Sequence, residues 1–340
     1  MYPSKIDIAV LCVFFIRPDS FEKVFAEVRK ARPSKLFLYQ DGPRDGRPSD
    51  VENIAKCRKI AEEGIDWECE VYRNYQEKNV GCDPSMYNAI TWMFSHVDKG
   101  IILEDDIVAS QSFFPFCKEL LDKYENDNRV FTIAGMNHLD VYGPENADYF
   151  FSRRSAIWGW ATWKRCIDLF DVEYSFLKDP YTINAMRPQI EALDEKINMC
   201  KWHQSTGIRF FETIIWNTKS TQNMLDIVPT KNLTANIGIG AGGTHGAGSI
   251  DVVPNGLKQV YYKETYDYEF PLRHPKHMVP DVYYNKRFCR ILSEGYPLVK
   301  AWRSVEGGFK SFRYASKEER SAKLKRLPKT IANVLHIAKG

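Results

Sequence analysis

Three adjacent acids, Glu104, Asp105 and Asp106, follow the apolar run Ile101-Ile102-Leu103. An apolar run of this kind reads as a strand buried on both faces, so the acids fall at a strand's carboxyl end, where open α/β sheets gather their ligands. Carboxylates this close repel one another unless something compensates, and a divalent cation with hard oxygen ligands is the usual compensation. Such a cation can bridge two phosphates and neutralise the charge on a departing nucleotide. The triplet also reads as an acidic turn ahead of a helix, because Ser110 or Ser112 opens the next periodic stripe.

Polar groups recur where the neighbouring strands should exit. Arg17 follows the first apolar run, Asp41 the second, and Arg73, Asn79 and Gly81 the third. An arginine can meet a diphosphate, and an aspartate can accept from a uracil or a ribose. Any one of them alone is a solvated loop residue, but in register they form one ligand-facing edge. Later, Trp158-Gly159-Trp160 offers flat aromatic faces with a glycine that allows close approach to a sugar ring, or else two core tryptophans. A literal GxGxxG at Gly238, Gly240 and Gly243 is not a dinucleotide fingerprint, since it comes late in the chain and no helical pattern follows it.

The elements that must position these groups alternate between short apolar runs and helical periodicity, as a parallel sheet with crossover helices does. Strands are expected at Ile6–Phe15, Leu36–Tyr39, Trp67–Tyr72, Gly100–Leu103 and Val130–Ala134. Between them lie helical stripes: Phe21, Val24, Phe25 and Val28 behind a cap at Asp19 or Ser20; Val51, Ile54 and Ala61; Ile90, Met93, Phe94 and Val97; and Phe113 to Tyr124. The expectation is an α/β fold with a Rossmann-like, mostly parallel central sheet flanked by helices. Residues 1–135 would bind the ligand at the strand ends. Residues 136–290, irregular and rich in tryptophan, would form a substrate-facing half that is not more of the same sheet but shares one fold with the first half. Residues 291–340 would be a basic helical tail.

Composition narrows the classes. A formal net charge of +3 spread over 340 residues argues against a nucleic-acid partner. The eight cysteines show no CxxC pair and no histidine at zinc spacing, which suits reduced, structural thiols in a cytoplasmic protein. No run approaches the roughly 20 apolar residues of a membrane-spanning helix, so any membrane contact would be peripheral. In the tail, Lys317, Arg320, Lys323, Lys325, Arg326 and Lys329 accompany Leu324, Leu327, Ile331, Val334 and Leu335 at near-helical spacing. That pattern suits an anionic membrane surface, or a helix packed on the domain.

The segments Phe14-Phe15-Ile16-Arg17-Pro18-Asp19-Ser20, Leu38-Tyr39-Gln40-Asp41-Gly42, Ile102-Leu103-Glu104-Asp105-Asp106-Ile107-Val108, Ser112-Phe113-Phe114-Pro115-Phe116 and Trp158-Gly159-Trp160 resemble GT-A-fold nucleotide-sugar glycosyltransferases. The likeness is to the family of the N-acetylglucosaminyltransferase that initiates complex N-glycans and to bacterial hemolytic-protein-like glycosyltransferases, in order from about Ile6 to about Pro280. It implies an Mn²⁺ or Mg²⁺ ion and a UDP-sugar donor, with Asp106 the direct metal ligand and Asp105 and Glu104 facing ribose and sugar. Arg17 and Asp41 would contact uridine. The glycine-rich stretch would lie near the donor, bringing His245 to phosphate or metal. The family's catalytic carboxylate is typically an Asp beside a Trp; here the nearest match is Glu212 in Phe210-Phe211-Glu212-Thr213, a departure that leaves the same proton chemistry available. The other acids of this half, Asp194, Glu195 and Asp226, lie in more polar surroundings and read as surface charges. The implied reaction is inverting transfer to a hydroxyl of a glycan or lipid-linked saccharide, in bacterial surface polysaccharide synthesis. Rival readings are a sugar-nucleotide nucleotidyltransferase, which usually has a glycine-rich basic signature where this chain has Phe-Phe-Ile-Arg-Pro-Asp-Ser, and a glycan-binding protein in which the acidic triplet is idle.

Overall fold

The computed structural model describes residues 1–239 and 249–314. Its strands are β1 (Ile6–Phe14), β2 (Pro33–Gln40), β3 (Glu70–Tyr75), β4 (Lys99–Glu104), β5 (Ile107–Ala109), β6 (Val130–Ala134), β7 (Tyr149–Ser152), β8 (Trp160–Trp163), β9 (Leu225–Pro229) and β10 (Thr234–Asn236). Its helices are α1 (Pro18–Ala31), α2 (Pro48–Gly64), α3 (Cys82–Phe94), α4 (Phe113–Lys123), α5 (Lys164–Ile167), α6 (Pro180–Met186), α7 (Leu193–Thr206), α8 (Phe211–Thr221), α9 (Asn255–Lys258), α10 (Val282–Leu292) and α11 (Pro297–Tyr314). Eight strands make one sheet in the order β3-β2-β1-β4-β8-β6-β9-β7, and β10 pairs with β5 in a separate ribbon. β3, β2, β1 and β4 are mutually parallel, as are β6 and β9; β8 runs against both of its neighbours and β7 against β9. This is the mostly parallel α/β sheet flanked by helices that the pattern of runs predicts.

Local sequence explains most of the element boundaries. β1 is buried over its last seven residues, as a central strand covered on both faces must be. The stripe Phe21, Val24, Phe25 and Val28 is the buried face of α1, and Phe21 stacks on Phe14 with ring centroids 4.2 Å apart. The start of α1 corrects the expected cap. Pro18, which has no N–H to satisfy, takes the first turn, and Arg17 stands at the cap position without a side-chain capping bond. β3 begins at Glu70 rather than Trp67, because Trp67 is anchored elsewhere, its Nε1 donating to the Pro33 carbonyl at 2.8 Å.

The sheet does not end at residue 135. β8 inserts between β4 and β6, and β9 and β7 extend the far side, so the second half of the chain completes the same sheet instead of standing apart from it. The driving term is burial: Trp160, Ala161 and Trp163 on β8 are at most 2% exposed. Outside this sheet, α6, α7 and α8 close over a smaller core that includes Tyr174, Phe176, Ile197, Ile214 and Trp216. α8 packs against α3, which carries that layer back toward the strand ends.

Asp194 and Glu195 are surface acids as the sequence suggests, paired with Arg187 and Lys300. Asp226 is not. It lies fully buried on β9 and accepts from Lys219 Nζ of α8 at 2.5 Å. Burial works against the Lys219 charge and Asp226 supports it. Asp226→Ala should therefore strand a buried ammonium and cost about 3–5 kcal/mol of stability in urea unfolding, with Lys219→Met added to Asp226→Leu recovering most of the loss. An Asp226→Ala protein as stable as the parent would show that the pair is not structural.

Candidate active site

Adjacency of β1 and β4 sets the site. Val13 pairs with Glu104, so the residues that leave β1 run beside those that leave β4. The Phe15 amide donates to Asp105 Oδ2 at 3.0 Å. Two residues on, Arg17 spans the acids, donating from Nη1 to Asp106 Oδ2 at 2.8 Å and from Nη2 to Asp105 Oδ1. The compensating charge expected from a cation is therefore supplied within the chain by a guanidinium. Burial opposes the charge on Arg17, but Asp105 and Asp106 more than offset it and raise its pKa. Asp105 is pushed upward by burial and by the charge of Asp106, against the pull of Arg17 and the Phe15 amide. Glu104 is pushed well above the ordinary carboxylate range, by burial first and then by the charges of Asp106, Glu212 and Asp105.

The β5–β10 ribbon closes this edge from the other side. Ile107 pairs with Asn236, and the next amide, Ile237 N, donates to the Asp106 carbonyl at 2.9 Å. The Gly238 amide then donates to Asn236 Oδ1 at 2.8 Å, folding the chain directly over the acid pair. A Cβ built on Gly238 would stand 1.9 Å from Asp106 Oδ2 and 3.0 Å from Arg17 Nη1. Gly238 thus permits a close backbone approach to a carboxylate. The glycine-rich stretch singled out in the sequence begins here, at a contact with Asp106 and Arg17 that no local pattern announces. Gly240, Gly243 and His245 lie outside the described residues. A cavity of about 1160 Å³ opens beside Arg17 between α1 and α2, with Gly238, Ile239 and Tyr262 on its other wall.

Asp41 ends up in the register expected of it, just past β2, but with its carboxylate already engaged. It accepts from the amides of Gly42, Val80 and Gly81 at 2.9, 3.0 and 3.1 Å and from Asn79 Nδ2 at 2.8 Å. Asp41, Asn79 and Gly81 are therefore one clamp, which holds the loop after β3 against the end of β2; Gly81, at φ +92°, then starts α3. Arg73 does not join them. It lies within β3, two residues short of the strand's end, and its guanidinium forms a two-point pair with Glu62 of α2, both bonds at 2.7 Å.

Glu212 stands in the first turn of α8, exposed, and its charge acts on Glu104 and on Cys82. The Cys82 thiol is raised to about 12, by burial first, then by Glu104, Asp83, Glu212 and Asp105, so these acids share one electrostatic neighbourhood. Lys196 donates to Glu294 Oε1 at 2.9 Å and is brought down to about 8 by burial and Arg154, with Cys289 and Glu212 opposing.

The tryptophan element is corrected in part. Trp160 is fully buried within β8 and presents no face to a ligand. Gly159 is required by its own backbone, at φ +74° with Thr234 Cγ2 2.7 Å from where a Cβ would stand, rather than by the approach of a sugar. Trp158 is half-buried against Tyr261, ring centroids 5.5 Å apart, and is the one member of the trio with surface to offer.

No family model matches the chain, and no curated relative matches it. Among solved structures 57 chains match. HddC from Yersinia pseudotuberculosis is 9% identical over 47% of this chain and 79% of that one, with a TM-score of 0.28. Mouse xyloside xylosyltransferase 1, in its apo form, is 10% identical over 65% of this chain and 84% of that one, with a TM-score of 0.34. At these scores the description of the fold rests on the sheet topology itself.

The raised pKa of Glu104 has a consequence for stability. With the folded value above the unfolded one, this group's contribution is full below the ordinary carboxylate range and is lost as pH rises through the folded value. Glu104→Gln should raise the thermal midpoint at about pH 8, and the gain should shrink toward zero by about pH 4. A destabilised Glu104→Gln at the higher pH would contradict this electrostatic picture.

Proposed function

We propose that this protein is an inverting, metal-dependent glycosyltransferase that moves a hexosyl group from a UDP-sugar to a hydroxyl of a glycan or lipid-linked saccharide, in the synthesis of a bacterial surface polysaccharide. The observation that carries this reading is the meeting of Arg17, Asp105 and Asp106 at the carboxyl ends of β1 and β4, with the charge of Glu212 felt on the same edge. A basic group against paired acids at a switch from sheet to loop is a place for a diphosphate and its counter-ion.

Among the described residues no group of three or more His, Cys, Asp or Glu side chains is arranged to hold a metal ion by itself. The donors at hand, the Asp106 carboxylate with diphosphate oxygens and water, fit a Mg²⁺ or Mn²⁺ ion that arrives with the nucleotide, since such ions usually keep one or two carboxylates plus phosphate. When bound, the ion would neutralise the leaving phosphates. Arg17 releases the acids and turns its guanidinium to the diphosphate or uracil. Asp41, with Asn79 and Gly81, fixes the loop that walls the uridine side. Glu104 and Asp105 face sugar and ribose, and Trp158 offers a stacking face to the acceptor. Glu212 accepts the proton of the acceptor hydroxyl while its oxygen bonds to the anomeric carbon opposite the breaking bond to UDP, so a single displacement inverts the configuration. A cytoplasmic enzyme on the inner face of the membrane would meet a lipid-linked acceptor.

Calorimetry with UDP should show binding that requires Mn²⁺ and that Asp106→Ala abolishes without loss of fold; equal binding in the presence of a chelator would remove the metal from the account. A sugar-nucleotide screen should release UDP, whereas release of pyrophosphate would favour the nucleotidyltransferase. Glu212→Gln should bind donor normally yet lose roughly 10²–10⁴-fold in turnover, the span of general-base catalysis. Near-normal turnover would move the base to another residue.

A further inference from the structure

α11 is mounted with its apolar side outward. Its polar side makes the contacts with the body of the protein: Arg303 donates to Ser293 Oγ at 2.7 Å and to the Ile291 carbonyl, Glu306 accepts from the Asn255 amide at 2.9 Å, and Lys310 donates to the Val253 carbonyl at 2.9 Å. On the opposite side, Leu298, Trp302, Val305 and Phe309 fall at positions i, i+4, i+7 and i+11, one stripe of a helix. Among the described residues they are 85, 67, 49 and 74% exposed. A helix that serves only the fold of a water-soluble domain would place this stripe inward. Here the polar contacts fix the helix so that the stripe faces away.

Charge identifies what the stripe meets. Directly beyond α11 the sequence continues with Lys317, Arg320, Lys323, Lys325, Arg326 and Lys329 against only Glu318 and Glu319. An apolar ridge with a strongly basic continuation is complementary to an anionic bilayer, where acyl chains take the apolar groups and headgroups the lysines and arginines. A second copy carries the same basic stretch and offers it no opposite charge, whereas an anionic surface does. No described helix is long and apolar enough to cross a membrane, so the contact is in the plane of the surface.

We infer that α11 is a membrane-docking helix that seats the protein on anionic phospholipid through Leu298, Trp302, Val305 and Phe309. The inference is independent of the chemistry assigned to the acid triplet. Held by Arg303, Glu306 and Lys310, α11 gives the docked protein one fixed face toward the bilayer.

The full chain should sediment with phosphatidylglycerol/phosphatidylcholine vesicles and far less with pure phosphatidylcholine. Trp302→Ser with Phe309→Ser, which leaves net charge unchanged, should lower the bound fraction about tenfold or more with an unaltered circular dichroism spectrum. Brominated acyl chains should quench tryptophan emission of the parent, and Trp302→Phe, which keeps apolar area, should remove that quenching while still sedimenting. Absence of vesicle binding by the parent, or retention by the double variant, overturns the inference. So does tighter binding after removal of residues 315–340, which would mean that those residues cover the stripe. A dimer that the double variant converts to a monomer would assign the face to a second copy instead.

Discussion

Two carboxylates side by side in a partly buried position cannot both stay ionised without a counter-charge. At about 4 Å and an effective dielectric near 20, like charges repel by roughly 4 kcal/mol. Arg17 supplies the counter-charge by bridging Asp105 and Asp106, and it can do so only because β1 and β4 are neighbours whose exits lie in register. The rest of the site is arranged around that ion pair. Pro18 starts α1 at once and so holds Arg17 at the turn. The Phe15 amide takes the remaining oxygen of Asp105. Above them, Gly238 brings the chain within contact of Asp106 and Arg17, where any side chain would force the carboxylate aside.

An arginine in this place makes the acids available without leaving them uncompensated. In the proposed reaction Arg17 would face a diphosphate and is held until then by the acids it would release, so that both states keep charges paired. The arrangement also separates roles along one edge. Asp41 and the loop it clamps are rigid, with every carboxylate oxygen engaged. Glu104, raised by its neighbours and by burial, is the acid whose charge is least supported. Glu212 comes from a different layer, the helices packed on α3, and its charge is felt on Glu104 at the end of β4.

β1, β2, β4 and β6 were legible in the sequence because burial leaves near-continuous apolar runs. The edge strand β3, with none of its residues buried, was legible only with its bounds three residues early. The helices between them show as apolar stripes, although Val51 of α2 is exposed. β8 and β7 were not legible: each is four residues long, and their partners are set by chain segments far away in sequence. The acid triplet and Arg17 were legible as a pair of features but not as a pair of partners, since contact across 88 residues leaves no local pattern. Asp226 looked like a surface acid because nothing in its neighbours announces that Lys219 is buried with it. Trp160 and Gly159 show the opposite difficulty: their types suit sugar binding, while their burial and backbone conformation belong to the core.

The central claim is that the Arg17 bridge is exchanged for a nucleotide diphosphate and its cation. A crystal structure of the chain grown with UDP and Mn²⁺ tests it most directly. The account predicts the ion on the Asp106 carboxylate and the Arg17 guanidinium turned away from both acids onto the nucleotide. An unbroken Arg17 bridge to Asp105 and Asp106, with UDP bound elsewhere or not at all, would contradict it.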